Sequence, residues 1–399
     1  MTSQMSQPLT PTADGLPAPL PPRYVDTRPF NPDGERMPSG DEDYYRASTW
    51  TLMWAKFRRN KLAVISLFVL LFAYGSLLVV EQIAPYPANK RHGDHLYAPP
   101  QGLHLMHEGQ FVGPFVYPYA FKFNMDTFRR EYQVDTTKPQ PVRFFCHGDS
   151  YDFMGVAKLD WHIVCPPEGG TMFLLGTDKL GRDLLSRIIY GARVSLTVGM
   201  VGIAISFAIG LTLGGLAGYL GGWVDAVVQR SIEILRSLPE LPLWLALSAA
   251  VPPNWSPMTV FLAITVILGF LDWPGLARAV RSKLLSLREE DFVRAAELSG
   301  ASKSRIIGRH LVPNFMSHLI ASATLSIPSM ILGETALSFL GLGLRPPITS
   351  WGVLLNDAQN LASVNLYPWL LMPMVPVIVI ILAFNFVGDG LRDAADPYH

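Results

Sequence analysis

The sequence predicts an all-α membrane protein of six transmembrane helices, with a cytoplasmic helical element between the fourth and fifth and an enlarged outer insertion between the first and second. Three observations carry this. Mean hydropathy is positive, +0.25, and charged residues make up only 16% of the 399, against about 25% in soluble domains. Apolar runs near the roughly 20 residues that a spanning helix needs recur along the chain. Basic residues crowd two of the segments between them, which orients the whole array. Net charge is zero, so composition offers no nucleic-acid surface.

Residues 1–50 read as a disordered cytoplasmic tail, because Pro8, Pro11, Pro17, Pro19, Pro21, Pro22, Pro29, Pro32 and Pro38 stand among Gly, Ser and Asp with no apolar run. Residues 51–82 hold the first span, "LAVISLFVLLFAYGSLLVV" at Leu62 to Val80, preceded by Lys56, Arg58, Arg59 and Lys61. Positive residues favour the cytoplasm, so the N-terminus is inside. Residues 83–190 form a globular outer segment with aromatics and Pro/Gly turns but no span. Its oxidising surroundings permit a Cys146–Cys165 disulfide, closing a loop of roughly 20 residues for about 3 kcal/mol in the chain-entropy account. Two buried free thiols are the alternative.

The core, residues 191–399, holds five further spans at about 194–219, 224–250, 258–273, 315–338 and 367–387. The third is interrupted by "RSLPELP" and the fourth is short by apolar count. Six crossings return the C-terminus to the cytoplasm. The loop 278–313 carries Arg278, Arg281, Lys283, Arg288, Arg294, Lys303, Arg305 and Arg309 against four acids. That basic excess marks it cytoplasmic independently of the first helix.

Within this loop Ser286 precedes Glu289 by three residues, a capping-box spacing, and Gly300 suits a left-handed C-cap, so a helix is expected over Leu287 to Ser299. A second helical turn begins near Ser302 and is expected to stop at Pro313. The stretch "LGTDKLGRDLLSRIIYGARVSLTVG", Leu175 to Gly199, reads as an amphipathic lead-in helix on the outer surface, with Asp178 and Arg182 an ordinary i, i+4 surface pair.

The loop resembles that of binding-protein-dependent ABC transporter permeases, in which Glu-Ala-Ala, three residues and Gly are followed by Leu-Pro. Here Arg294, Ala295, Ala296, Gly300 and "LVP" ending at Pro313 match it, with Arg294 at the usually acidic position as in the peptide and nickel subfamily. Leu175 to Gly199, "ETALSFLGLG" at Glu334 to Gly343 and "NFVGDGLRDAADP" at Asn385 to Pro397 are similar to the same subfamily. The resemblance implies a MetI-like permease fold in a bacterial inner membrane, with both termini cytoplasmic. It also implies a related second permease, two ATPase subunits and a periplasmic or lipid-anchored substrate-binding protein. Asp291, Arg294, Ala295, Ala296, Glu297, Gly300 and Pro313 would then form the ATPase-coupling element. The cargo order is oligopeptide, then oligosaccharides such as alpha-galactosides, then nickel.

No G-x-x-x-x-G-K-[ST] loop occurs, so this chain is expected to bind no cofactor, with ATP and Mg on the separate ATPase chains. His92, His95, His104 and His107 cluster in the insertion, but four His without companion Cys read as loop residues, and no metal site is assigned. Glu240 and Glu334 are ionisable groups at membrane depth and are candidates for lining the translocation path; hydrogen bonding to local backbone is the alternative. As an acid–base pair they would make a membrane-embedded enzyme, but they lie on different helices without a nucleophile. Gly210, Gly214 and Gly218 give a close-packing helix face, directed either at the partner permease or within the chain.

Overall fold

A computed structural model describes residues 49–126, 129–153, 157–252 and 254–395. The proline-rich tail expected over residues 1–50 falls almost wholly outside them, as do Asp396 and Pro397 of the C-terminal motif. By contact the chain divides after Leu52, within α1 (Thr49–Arg59).

The first span is α2 (Lys61–Ser76), continued through a 3₁₀ turn (Leu77–Val79) into α3 (Val80–Ile83). Asn60 caps it, its side-chain oxygen accepting from the Ala63 amide at 3.2 Å. Leu62, Ile65, Phe68, Leu71 and Phe72 face outward, as helix sides in hydrocarbon should. Only a narrow seam, Ala63, Ser66 and Leu70, is buried.

The core follows as α4 (Leu184–Leu220), α5 (Gly222–Ser237), α6 (Glu240–Ala249), α7 (Pro257–Leu287), α8 (Asp291–Leu298), α9 (Lys303–Arg305), a π-helical stretch (Ile306–Leu311), α10 (Val312–Asn314), α11 (Met316–Phe339), α12 (Trp351–Asn356), α13 (Leu361–Leu366), a 3₁₀ turn (Pro368–Leu371) and α14 (Met374–Ala395). Among the described residues five helices are long and apolar enough to span, beginning at Lys61, Leu184, Pro257, Met316 and Pro368. The expected third span is instead two helices, α5 and α6. Leu238 and Pro239 between them are extended, with ψ 137° and 130°; at Leu238 this follows from Pro239, since proline disfavours helical geometry in the residue before it. At ten residues, α6 is about 15 Å long, half a bilayer core.

The tightest packing is α4 against α7, and glycines make it possible. A Cβ on Gly214 would lie 2.5 Å from the Ala277 carbonyl oxygen, and one on Gly218 would lie 2.9 Å from that of Arg281. The Gly210–Gly214–Gly218 face is therefore spent inside this chain, on α7. α11 packs on α14 and α4, and α14 on α2, enclosing Leu196, Ile331, Ala383 and Phe384.

The insertion departs from the all-α pattern of the core. It is built of antiparallel strands: β1 (His104–His107), β2 (Gln110–Val116) and β5 (Gln140–Pro141) in one sheet, β3 (Tyr119–Asn124) with β4 (Arg129–Val134), and β6 (Arg143–Phe153) with β7 (Ala157–Cys165). Cys146 on β6 and Cys165 at the end of β7 are joined by a disulfide, their Cα atoms 6.4 Å apart. The four histidines pack among aromatic rings: His92 and His95 against Phe173, and His104 and His107 against Phe115 and Tyr117.

Candidate functional site

The helical element of the loop 278–313 begins four residues later than its spacing suggests, at Asp291 instead of Leu287. α7 runs on to Leu287, so Ser286 lies inside it and the expected capping box with Glu289 does not form. Glu290 stands at the N-cap of α8, without a side-chain cap bond. Asp291 occupies the first turn, where the helix dipole favours an anion. The C-terminus closes as a Schellman motif, with the Ala301 amide on the Ala296 carbonyl at 3.1 Å and the Gly300 amide on that of Glu297 at 2.9 Å. Gly300 sits at φ +76°, a conformation that suits glycine.

One side of α8 is seated and the other is free. Val293 is fully buried against Leu284, Ile306 and Leu311. Glu297 accepts a 2.8 Å hydrogen bond from Tyr219 at the end of α4, a spanning helix. Asp291, Phe292, Arg294, Ala295 and Leu298 point away, Leu298 being 90% exposed and Phe292 40%. Arg294 bonds Glu289 across the start of the helix at 3.2 Å. Beyond Gly300 the chain does not stop at Pro313. The π-helical stretch shifts the hydrogen-bond ladder just before it, so Pro313 enters the first turn of α10, where no amide is required. Arg281 of α7 braces this face with two 2.5 Å bonds to Asp225 of α5.

The two membrane-depth glutamates part company. Glu240 opens α6 and is exposed at a small pocket with Arg236, Trp244 and Asp272. Glu334 is fully buried. Its carboxylate accepts from Ser338 at 2.8 Å, Ser350 at 2.7 Å and Ser195 at 3.1 Å. Ser350 also caps α12 and Ser195 receives the Trp351 amide. Three helices, α4, α11 and α12, thus meet at one side chain. Local backbone was the expected alternative partner; the observed partners are serine hydroxyls, Ser338 one turn along the same helix and Ser195 and Ser350 from other segments.

The stretch before α4 is a buried turn instead of a surface helix. Thr177 and Asp183 pair as an isolated bridge, and Asp183 caps α4 by accepting from the Ser186 amide and hydroxyl at 2.8 and 2.6 Å. Burial pushes the Asp183 carboxyl up to about 6. Asp178, 1% exposed, accepts from Arg182 Nε at 2.7 Å, Arg187 Nη1 at 2.5 Å and the amides of Leu180 and Arg182. The i, i+4 spacing held, but two guanidinium groups on one buried carboxylate make a lock. The same turn ties the insertion to the last span: the Thr177 hydroxyl donates to the His95 carbonyl, and the Thr177 carbonyl accepts from the Trp369 indole at 3.0 Å. Glu81 at the end of the first span receives Arg193 of α4 through bonds of 2.5 and 2.8 Å. No spacing rule could have revealed these contacts, since Glu81 and Arg193 are 112 residues apart.

Residues 210–398 match the family described as "Binding-protein-dependent transport system inner membrane component", and residues 48–100 match "N-terminal TM domain of oligopeptide transport permease C". The chain is 42% identical over 241 residues to the oligopeptide transport system permease protein OppC of Haemophilus influenzae, covering 60% of this chain and 75% of that one. It is 43% identical to OppC of Escherichia coli, covering 60% and 77%. To the dipeptide transport system permease protein DppC of Bacillus subtilis it is 41% identical, covering 58% and 70%. A chain of the solved inward-facing MetNI methionine ABC transporter aligns over 53% of this chain and 97% of its own, at 18% identity and a TM-score of 0.40. With relatives above 40% identity covered over at least two thirds of their length, this chain belongs to the binding-protein-dependent transport system inner membrane components, the permease subunits of ABC transporters.

Proposed function

We propose that this permease carries oligopeptides inward across the bacterial inner membrane, paired with a second related permease, driven by two ATPase subunits that hold ATP and Mg, and supplied by a periplasmic or lipid-anchored binding protein. Both termini lie in the cytoplasm. The observation that carries the reading is the outward face of α8, where Phe292, Ala295 and Leu298 recur at helical spacing on a cytoplasmic surface beside Asp291 and Arg294. An apolar stripe of this kind fits a groove on a partner. The relatives named as peptide permeases supply the cargo class.

ATPase closure would press on α8. Its two inward anchors, Val293 in the α7 seat and Glu297 on Tyr219 of α4, would pass the displacement to the two closely packed spans as a rigid-body movement. Glu240, with Arg236 and Asp272, supplies the polar wall of the path, whereas Glu334 holds the bundle together.

The test is uptake of labelled tripeptide and labelled raffinose by cells lacking only this chain and by complemented cells. Loss of tripeptide uptake alone supports the proposal, and loss of raffinose uptake alone replaces the cargo. Gly300→Pro should insert in the membrane yet fail to retain the ATPase subunits on purification. Normal transport by that variant would sink the docking assignment.

A further inference from the structure

The turn before α4, the end of α11 and the C-terminal half of α12 enclose a pocket of about 320 Å³ lined by Arg91, Lys179, Arg182, Arg187 and Arg345, with Asp357 as the one acidic residue on its wall. Asp178 lies beneath, bonded to Arg182 and Arg187, and Asp357 pairs with Lys179 at 2.8 Å. Five cations therefore meet two carboxylates. The surplus is placed where a ligand would meet it. Arg91 and Arg345 are exposed, and their side chains make no hydrogen bond or ion pair among the described residues. Arg187 is 1% exposed, and its Nε is buried without a hydrogen-bond partner. A buried guanidinium donor left empty is costly unless something arrives to accept from it. The pocket is also furnished with apolar surface, Leu180, Leu344, Pro346 and Val353.

We infer that this pocket is a carboxylate site, taking the free C-terminal carboxylate of the transported peptide as it leaves the delivery protein. The inference rests on the oligopeptide reading above and on the outer placement of the turn. Arginine forks match a carboxylate geometrically, and charge-assisted bonds from several at once orient as well as hold. The small apolar wall would accept the last side chain without discriminating strongly among residues. The two rim arginines attract the anion, and the floor, already held rigid by Asp178, fixes where it lands.

The full chain in nanodiscs of neutral lipid would be titrated with trialanine, trialanine amide and inorganic phosphate, reading hydrogen exchange at residues 179–187 and 341–357. Trialanine is expected to protect both segments, and the amide to need about tenfold more or worse. The double variant Arg91→Gln, Arg345→Gln should keep the protection of these segments seen without ligand but lose the acid–amide difference. Equal protection by acid and amide, an unchanged difference in the double variant, or phosphate protection that trialanine cannot displace would each overturn the site. If wild-type cells take up trialanine while any of these holds, only the pocket assignment falls. Absence of that uptake in wild-type cells would remove the cargo reading itself.

Discussion

Single residues decide how the bundle is held, and Glu334 and Asp178 show two ways of burying a carboxylate. Glu334 is surrounded by hydroxyls and carries no ion pair among the described residues, so its replacement leaves serine donors stranded in a dry interior. Glu334→Leu should lower stability by about 3 kcal/mol, while Glu334→Gln, which keeps an acceptor, should lose about half that. Thermal unfolding in detergent would check both. Retention of full stability by the leucine variant would contradict the hub. Asp178 instead neutralises two arginines, and removing it alone leaves Arg182 buried without its carboxylate and Arg187 with only Asp357, 3.7 Å away. Asp178→Asn should cost about 3 kcal/mol, and adding Arg187→Met should recover part of it, because breaking a buried pair is worse than deleting it.

Elements are set by close approach and by local chemistry acting together. The α4–α7 crossing depends on Gly214, whose added Cβ would meet backbone that cannot yield. Gly214→Val should destabilise by about 2 kcal/mol or more, seen as loss of the folded fraction in size-exclusion chromatography, and Gly215→Ala, with only a distant Leu284 contact at 3.9 Å, should be mild. The insertion's inner cluster brings a pH dependence. Burial lowers the pKa of His92 and of His95 beside Phe173, with Lys90 adding to the effect at His92 and the neighbouring His92 at His95. The folded form therefore binds fewer protons than the unfolded chain. Stability from this pair is present above the ordinary histidine pKa, about 6.5, and is lost as pH falls below it. Hydrogen exchange at residues 84–101 and 172–181 should quicken on acidification below about pH 6. Asp183, raised by burial, works in the opposite direction: its folded form holds a proton more tightly, so it favours the folded state most below about pH 4. His92→Phe with His95→Phe should therefore abolish the quickening and leave the Asp183 trend.

At the scale of the molecule, a helical core carries a strand-built insertion, tied to it by specific bonds: Thr177 to Trp369, Lys179 to Asp357, and Asp178 to Arg187 of α4, while Glu81 to Arg193 joins the first span to α4. Inside the insertion the disulfide links the two longest strands. Cys146→Ser with Cys165→Ser should raise protease cleavage within residues 143–165 while leaving the spans resistant, since the core packs without those residues.

Five of the spans and the Gly300 turn were legible because each depends on neighbours in sequence: an apolar run satisfies its own backbone, and a left-handed cap needs one glycine. The basic loop was legible for the same reason, as was the class of transporter subunit through its ordered motifs. What tertiary structure alone decided was where side chains find partners. Ser286 and Glu289 have capping-box spacing, yet α7 continues through Ser286 because its inner face stays buried to Leu284. The segment between the first span and α4 carried aromatics and turns, but strand pairing joins residues far apart and leaves no helical run to read. Asp178 and Arg182 look like surface charges in any window of the sequence. Only the arrival of Arg187 and Asp357 beside them, with water excluded, turns that turn into a lock.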